Sequence, residues 1–471
     1  MKLLDNDKLP YQIISILFLT LISVVFLKFN LINSYITLTA FASGYILLLL
    51  VFRKWSVYNF DLERSFLFLA IGLSFLQAAF LSVKIGSISI FPYRLLFLIL
   101  FLLILVRLLR NELKVYAQTI SVNGYLLFLL AWLFYSLISL SWVKSFNSGV
   151  RYLFLLGIGV FMVYFVVLLF QREGDYLKFF YLWIGMLVML VVVGLWNNLT
   201  HQHLSTSFIL NAPPHKKHIP TAVFYNQNDY ASYLAVSSFF LIAFIRYIKS
   251  YLMKILGFII LALSLYLMYV TESRASLLAV LLAVAGMTFV ILKPKIKIIL
   301  GMVLIGVVTL FISTQLDTAT AFLNNEETTD NSVSIRTNLI KNALYFTSES
   351  FGFGVGSGNV EYYMKNYFIY PTQNVLNVHN WYLEILVNNG VIIFIGYMLL
   401  YLSIIIKIFH LYKKAENPVS KMISEALLGA LFAFAFASIS PSSVSNLNYH
   451  WMLLAFSIGY INLSKINRKG S

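Results

Sequence analysis

Long apolar runs separated by short polar clusters dominate this chain. They fall at about 11–28, 34–52, 65–83, 92–108, 121–142, 151–170, 177–197, 229–246, 252–270, 274–292, 296–313, 381–406, 421–439 and 449–463. A helix needs roughly 17–25 mostly apolar residues to cross a bilayer, so the pattern predicts about 14 transmembrane helices. The expected fold is an all-α integral membrane protein with one large extracytoplasmic loop. No small-residue cleavage site follows the first run, which therefore reads as a retained span rather than a signal peptide. The gaps at 28–34 and 270–274 are short enough for a pair of runs to form one re-entrant element. Four segments follow: N-terminal transmembrane helices at 1–197, a central transmembrane region with a basic outer loop at 198–313, the large loop at 314–380, and C-terminal transmembrane helices at 381–471.

Composition removes the soluble alternative. With 60% hydrophobic and 11% charged residues in a chain of 471, too few polar side chains remain to wet the surfaces of several globular domains. The absence of cysteine excludes disulfides, thiolate metal sites and a thiol nucleophile. A net charge of +16 would point to nucleic acid in a soluble protein. Here the positive-inside rule absorbs most of it: a cytoplasmic N-terminus puts 23 of the 34 cations inside, together with both chain ends. Nucleic acid is therefore not an expected partner. The 11 cations left outside are Lys28, Lys84, Arg94, Lys144, Arg151, Lys216, Lys217, Arg274, Arg336, Lys341 and Lys365. Topology does not account for these, and several stand where an anionic substrate could be held.

Two outer loops concentrate the unusual residues. The first, 198–228, carries His201, His203, His215, Lys216, Lys217 and His218 and leads to Asn226, Asn228 and Asp229 at the mouth of the next span. The second, 314–380, is long enough to imply a function. Within it Ile335, Leu339, Ala343 and Leu344 recur at helical spacing after Asp330, Asn331 and Ser332, which predicts a capped amphipathic helix with Arg336 on another face. Gly352, Gly354, Gly356 and Gly358 come next, then the aromatic patch Tyr362, Tyr363, Tyr367, Phe368 and Tyr370, then His379 and Asn380.

Four motifs in order carry a resemblance: Asn226-Gln-Asn228-Asp-Tyr-Ala231, Thr271-Glu-Ser273-Arg274, Arg336 followed by Gly-Xaa-Gly, and His379-Asn380-Xaa-Tyr382-Leu-Glu384 with Gly390. This order, over residues 226–390, resembles the O-antigen ligase and Wzy-type polysaccharide polymerase superfamily, in particular Gram-positive teichuronic acid and exopolysaccharide polymerases. The resemblance implies a GT-C-like glycosyltransferase using undecaprenyl-diphosphate-linked glycans as donor and acceptor outside the cytoplasmic membrane, without nucleotide sugar, metal or other cofactor. It also implies a flippase and a chain-length regulator as partners. Many relatives carry an arginine shortly before the Asn-Xaa-Asn motif, where this chain has Lys216, Lys217 and His218.

The residues themselves fit that chemistry. A lipid diphosphate is both anchor and leaving group, and guanidinium groups match phosphate oxygens two at a time. Arg274 and Arg336 are the first candidates for holding it; a membrane-edge anchor and a solubilising loop residue are their plainer roles. Arg94 and Arg151, at outer ends of spans, are secondary phosphate ligands or interfacial anchors. His379 is the histidine of the long loop, and transfer to a hydroxyl needs a group that accepts a proton near neutral pH. Asn380 capping the next helix would set the imidazole by the positive helix end, favouring its neutral form.

Other signals weigh less. Gly354 and Gly356 either present backbone amides to phosphate or only turn the chain. Glu384 and Asp229 orient an acceptor or pair with an arginine. Asp5 and Asp7, and the set Asp317, Glu326, Glu327 and Asp330, read as solvated segments. The four loop histidines lack a Cys or a clear acidic partner for zinc. The leading reading is polymerisation of lipid-linked repeat units. A ligase that moves finished glycan to another acceptor shares its chemistry. A flippase or transporter for the same lipid would instead show paired halves around a midplane site.

Overall fold

The computed structural model describes residues 62–79, 82–85, 88–111, 120–291, 332–441, 443 and 447–469. The expected spans at 11–28, 34–52 and 296–313, the acidic set at 317–330 and the Asp5–Asp7 pair lie outside the described residues.

The described helices are α1 (Leu62–Ser74), α2 (Pro92–Leu109), α3 (Asn123–Ile138), α4 (Phe146–Leu169), α5 (Glu173–Thr200), α6 (Gln227–Tyr247), α7 (Tyr251–Val270), α8 (Arg274–Ile291), α9 (Ser332–Glu349), α10 (Val360–Asn366), α11 (Trp381–Lys414), α12 (Pro418–Ala437) and α13 (Asn448–Lys469). Among them, α2 to α7, α11 and α12 make eight helices long and apolar enough to cross a membrane. Side-chain caps set several starts: Asn226 accepts from the Asp229 amide at 3.0 Å, and Asn417, ahead of Pro418, accepts from the Ser420 amide at 2.7 Å.

The run at 65–83 is not one span. Helix α1 stops after 13 residues at Ser74, and an antiparallel hairpin of β1 (Val83–Ile85) and β2 (Ile88–Ile90) follows. The Ser74 hydroxyl turns back onto the Ile71 carbonyl at 2.7 Å, Asn448 takes the Ser74 carbonyl at 3.1 Å, and Gln77 is left-handed with φ 55°. The β-branched residues beyond alternate with polar ones, and this period of two is invisible inside a uniformly apolar window. The fold is otherwise helical throughout the described residues.

In lipid there is little hydrophobic drive between helices, so close packing of side chains must hold the bundle. The centre is aromatic. Trp183 of α5 stacks on Phe240 of α6 at 4.4 Å, and Phe179 stacks on Phe456 of α13 at 4.3 Å. Such pairs add about 0.5–1.5 kcal/mol each.

Successive helices alternate in direction and sort the connections to two ends. At one end Arg246 pairs with the buried Glu425 at 3.0 Å, Ser420 bonds Glu173, and the Lys465 ammonium donates to the Ser121 carbonyl at 2.8 Å. At the other end the connections 139–145, 200–226, 271–273, 350–380 and the described residues 438–441 gather. Ser139 and Ser357 share a hydroxyl contact at 2.9 Å, and the Ser145 amide donates to the Asn359 side chain at 2.7 Å.

Candidate active site

The long loop has a core of its own. Leu339 and Ala343 of α9 are fully buried and pack with Phe346, Val355, Val360, Met364, Val378 and Val387. Leu344, expected on the same face, is instead 52% exposed, because it lies one position past the buried stripe. Asn342 ties the loop's return to α9: its amide nitrogen donates to the Tyr370 carbonyl at 2.8 Å, and its oxygen accepts from the Ile369 and Tyr370 amides at 2.9 and 3.0 Å. Arg336 stands one turn from the start of this braced helix, on its exposed side.

Below the loop core, the glycine run meets a break in α11. Gly390 has φ 79° and ψ 177°, which divides α11 into two helical pieces. Its amide neighbour Val391 donates to the Gly352 carbonyl at 2.8 Å, and the Val355 amide donates to the Val387 carbonyl at 2.8 Å. A Cβ on Gly354 would come within 2.6 Å of the Gly390 nitrogen, so backbone approaches backbone here. The Gly354 amide donates to the Ser350 hydroxyl at 3.1 Å, and its carbonyl accepts from the Trp142 indole at 3.2 Å. Gly356, at φ 93°, packs against Val143 and Ser139. The glycines thus form a packing joint, with the Gly354 amide engaged by Ser350.

The break sets the short helix that begins at Trp381. Asn380 caps it as expected, its oxygen accepting from the Tyr382 and Leu383 amides at 3.0 and 3.3 Å. His379, just outside the cap, is left-handed at φ 52° and partly buried. Its Nδ1 lies 3.4 Å from the Ser440 carbonyl oxygen. Ser440 in turn meets the Ser273 hydroxyl at 3.3 Å, and Ser273 meets Ser276 at 3.0 Å. The Trp381 amide donates to the Ser438 carbonyl at 3.0 Å. Ser438 and Ser440 therefore link the His379 motif to the Thr271–Arg274 motif. Arg274 opens α8 with an exposed side chain.

Burial lowers the His379 pKa below its ordinary 6.5, the charge of Arg336 adds to that fall, and the Ser440 and Pro441 carbonyls oppose it. The charge of Arg336 thus acts on the imidazole. Glu384, one turn into the helix and 6% exposed, accepts from the Ser443 hydroxyl at 2.9 Å. Its charge also acts on the buried Tyr152, whose hydroxyl donates to Asn389 at 2.9 Å.

The remaining sequence candidates divide. Asn226 spends its side-chain oxygen on the α6 cap, and Asp229 is buried near Tyr449, which donates to Ser232 at 2.8 Å. Asn228 is half-exposed at the same helix start. Lys216 is exposed on a short turn, Pro214–Lys216. The backbone of its neighbours is pinned: the Lys217 carbonyl meets His203 Nε2 at 2.9 Å, and the His218 carbonyl accepts from Asn198 at 2.8 Å. Arg94 lies over the rings of Phe91 and Phe154 at 4.5 and 5.6 Å, and it is close enough to Arg151 for the two charges to repel. Sequence reading missed Ser440 and Ser443, although a serine-rich run between two apolar stretches marks them, and it missed Tyr152 and Asn389, whose polarity is hidden within helices.

Residues 259–398 match the family described as O-antigen ligase, Wzy_C, a stretch that contains the Thr271–Arg274 motif, Arg336, His379 and Gly390. The chain is 38% identical over 423 residues to the teichuronic acid biosynthesis protein TuaE of Bacillus subtilis (strain 168), covering 86% of each chain. With its bundle of apolar helices, the protein is a multi-pass membrane member of the O-antigen ligase and Wzy-type polysaccharide polymerase superfamily.

Proposed function

We propose that the protein is a membrane glycosyltransferase that polymerises undecaprenyl-diphosphate-linked repeat units into a cell-surface polysaccharide. The relative named for teichuronic acid biosynthesis supports a polymer of that kind. Arg336 and Arg274 hold the donor diphosphate, and His379 takes the acceptor's proton. The observation that supports this reading is the contact of His379 with the Ser440 carbonyl, with Ser440 tied to Ser273 beside Arg274 and the charge of Arg336 acting on the imidazole.

A carbonyl oxygen only accepts, so the Ser440 contact favours the tautomer with hydrogen on Nδ1 and leaves Nε2 as the basic nitrogen. The acceptor oxygen attacks the anomeric carbon while its proton passes to Nε2. The bond from that carbon to the diphosphate oxygen breaks, and its electron pair leaves with undecaprenyl diphosphate, the arginines meeting the charge. One direct displacement inverts the anomeric configuration. The imidazolium formed is then steadied by the Ser440 carbonyl at Nδ1.

The basic end of the bundle, with Arg172, Arg246, Lys249, Lys413 and Lys414, faces the cytoplasm in this reading, and the His379 end faces out. Incubating purified protein with a synthetic undecaprenyl-diphosphate repeat unit tests the function. A ladder of products is expected; a single addition to a different acceptor class would favour a ligase, and no transfer would contradict both.

A further inference from the structure

We infer that Asn389 is a positioning residue: it pins the short helix 381–389 against two neighbouring spans and so holds His379 where it meets the acceptor. This inference rests on the reading that His379 takes the acceptor's proton, and it deepens that reading.

A span normally keeps its direction through its own ladder of backbone hydrogen bonds. In α11 Gly390, at φ 79° and ψ 177°, interrupts the helical backbone, so the piece before it needs anchors of its own. The segment 381–389 is about 13 Å long, and a tilt of about 5° at Gly390 would carry its far end, with His379 beyond it, by about 1 Å. A misplacement of that size at a reacting group costs about a hundredfold in rate.

Asn389 supplies the anchor at this pivot. Its oxygen accepts from the Tyr152 hydroxyl of α4 at 2.9 Å. Its nitrogen donates to the Ser136 hydroxyl of α3 at 2.9 Å and to the Ser357 hydroxyl of the glycine loop at 3.3 Å. The Ser139 hydroxyl joins the same network at Ser357, and all five side chains are buried. Beside it, Asn388 accepts from the Val360 amide at 3.0 Å, which ties α10 to the same point. At the far end the Trp381 amide and the Tyr382 hydroxyl reach the Ser438 and Ala435 carbonyls of α12 at 3.0 and 2.7 Å. The tip is thus held by α12, and Asn389 sets the angle at the base.

A buried amide side chain is costly unless its bonds are made, and one that makes them accepts few orientations. Partners on three separate elements fix its direction in space, which an apolar side chain of similar size would not do.

The test is a double-mutant cycle read by single-turnover transfer of an undecaprenyl-diphosphate-linked glycan at matched donor occupancy. N389A should slow transfer by about tenfold to a hundredfold in the wild-type background while donor affinity stays within about twofold. In the H379A background it should add less than about twofold, because a residue that acts through His379 then has nothing left to position. Equal slowing in both backgrounds would make Asn389 a structural residue only, and unchanged transfer in N389A would also overturn the inference. If N389A does not fold, Y152F removes only the hydroxyl that Asn389 accepts from. It should slow transfer by about threefold or more in wild type and leave H379A unchanged, and any other pattern overturns the inference. Transfer by H379A at the wild-type rate defeats the proton-acceptor reading and this inference together, whereas equal slowing in both backgrounds defeats the inference alone.

Discussion

Nδ1 of His379 faces the carbonyl oxygen of Ser440 at 3.4 Å, and the pair joins three distant stretches of sequence. Ser440 belongs to the connection between α12 and α13, His379 ends the long loop, and Ser273, which meets Ser440, precedes α8. The contact orients the imidazole by its backbone-facing nitrogen and aims the other nitrogen away from it.

The pH dependence of transfer follows from His379. Its base form exists above its pKa, which burial and Arg336 set below the ordinary 6.5. Activity should therefore hold as pH falls through 6.5 and decline only at lower pH. A pH–rate profile at saturating donor checks this, and an acid limb above 6.5 would contradict it.

Replacing Arg336 or Arg274 by lysine keeps charge and removes the paired donors of the guanidinium. Each variant should stay folded in the membrane and lose about tenfold or more in transfer, as expected for a lost charge-assisted hydrogen bond. Product ladders of near-normal rate in both variants would reduce these residues to surface anchors.

Gly390→Ala tests the joint between the loop and α11. Its φ of 79° is costly for alanine, and the added Cβ would lie 2.6 Å from the Phe353 carbonyl carbon. Thermal denaturation should show a loss of about 1–3 kcal/mol. Gly124→Ala is the control, since nothing lies within 4 Å of its added Cβ. Equal stability of the two variants would mean that the joint is not rigid.

Orientation is open to single-cysteine labelling, because the chain has no native cysteine. Lys365→Cys should react with an impermeant maleimide in intact cells, and Lys414→Cys only after permeabilisation. The reverse pattern would invert the topology.

Within the described residues, eight of the expected spans were legible because the length of an apolar run encodes them directly. Asn380 was readable as a cap, and Leu339 and Ala343 as the buried face of α9, since both follow local rules. The hairpin at Val83–Ile90 was not, because apolar alternation disappears inside an apolar run. The close approach of Gly354 to Gly390 was also hidden, because a glycine run in sequence does not show which backbone it meets. Ser440 and Ser443 escaped notice because a contact between residues 61 positions apart leaves no local trace.

The most direct test is single-turnover transfer by purified His379→Ala on an undecaprenyl-diphosphate-linked glycan, at donor occupancy matched to wild type. If His379 takes the acceptor's proton, the chemical step should slow by about 10²- to 10⁴-fold while donor binding changes little. An unchanged single-turnover rate would contradict the assignment and remove this histidine from the chemistry.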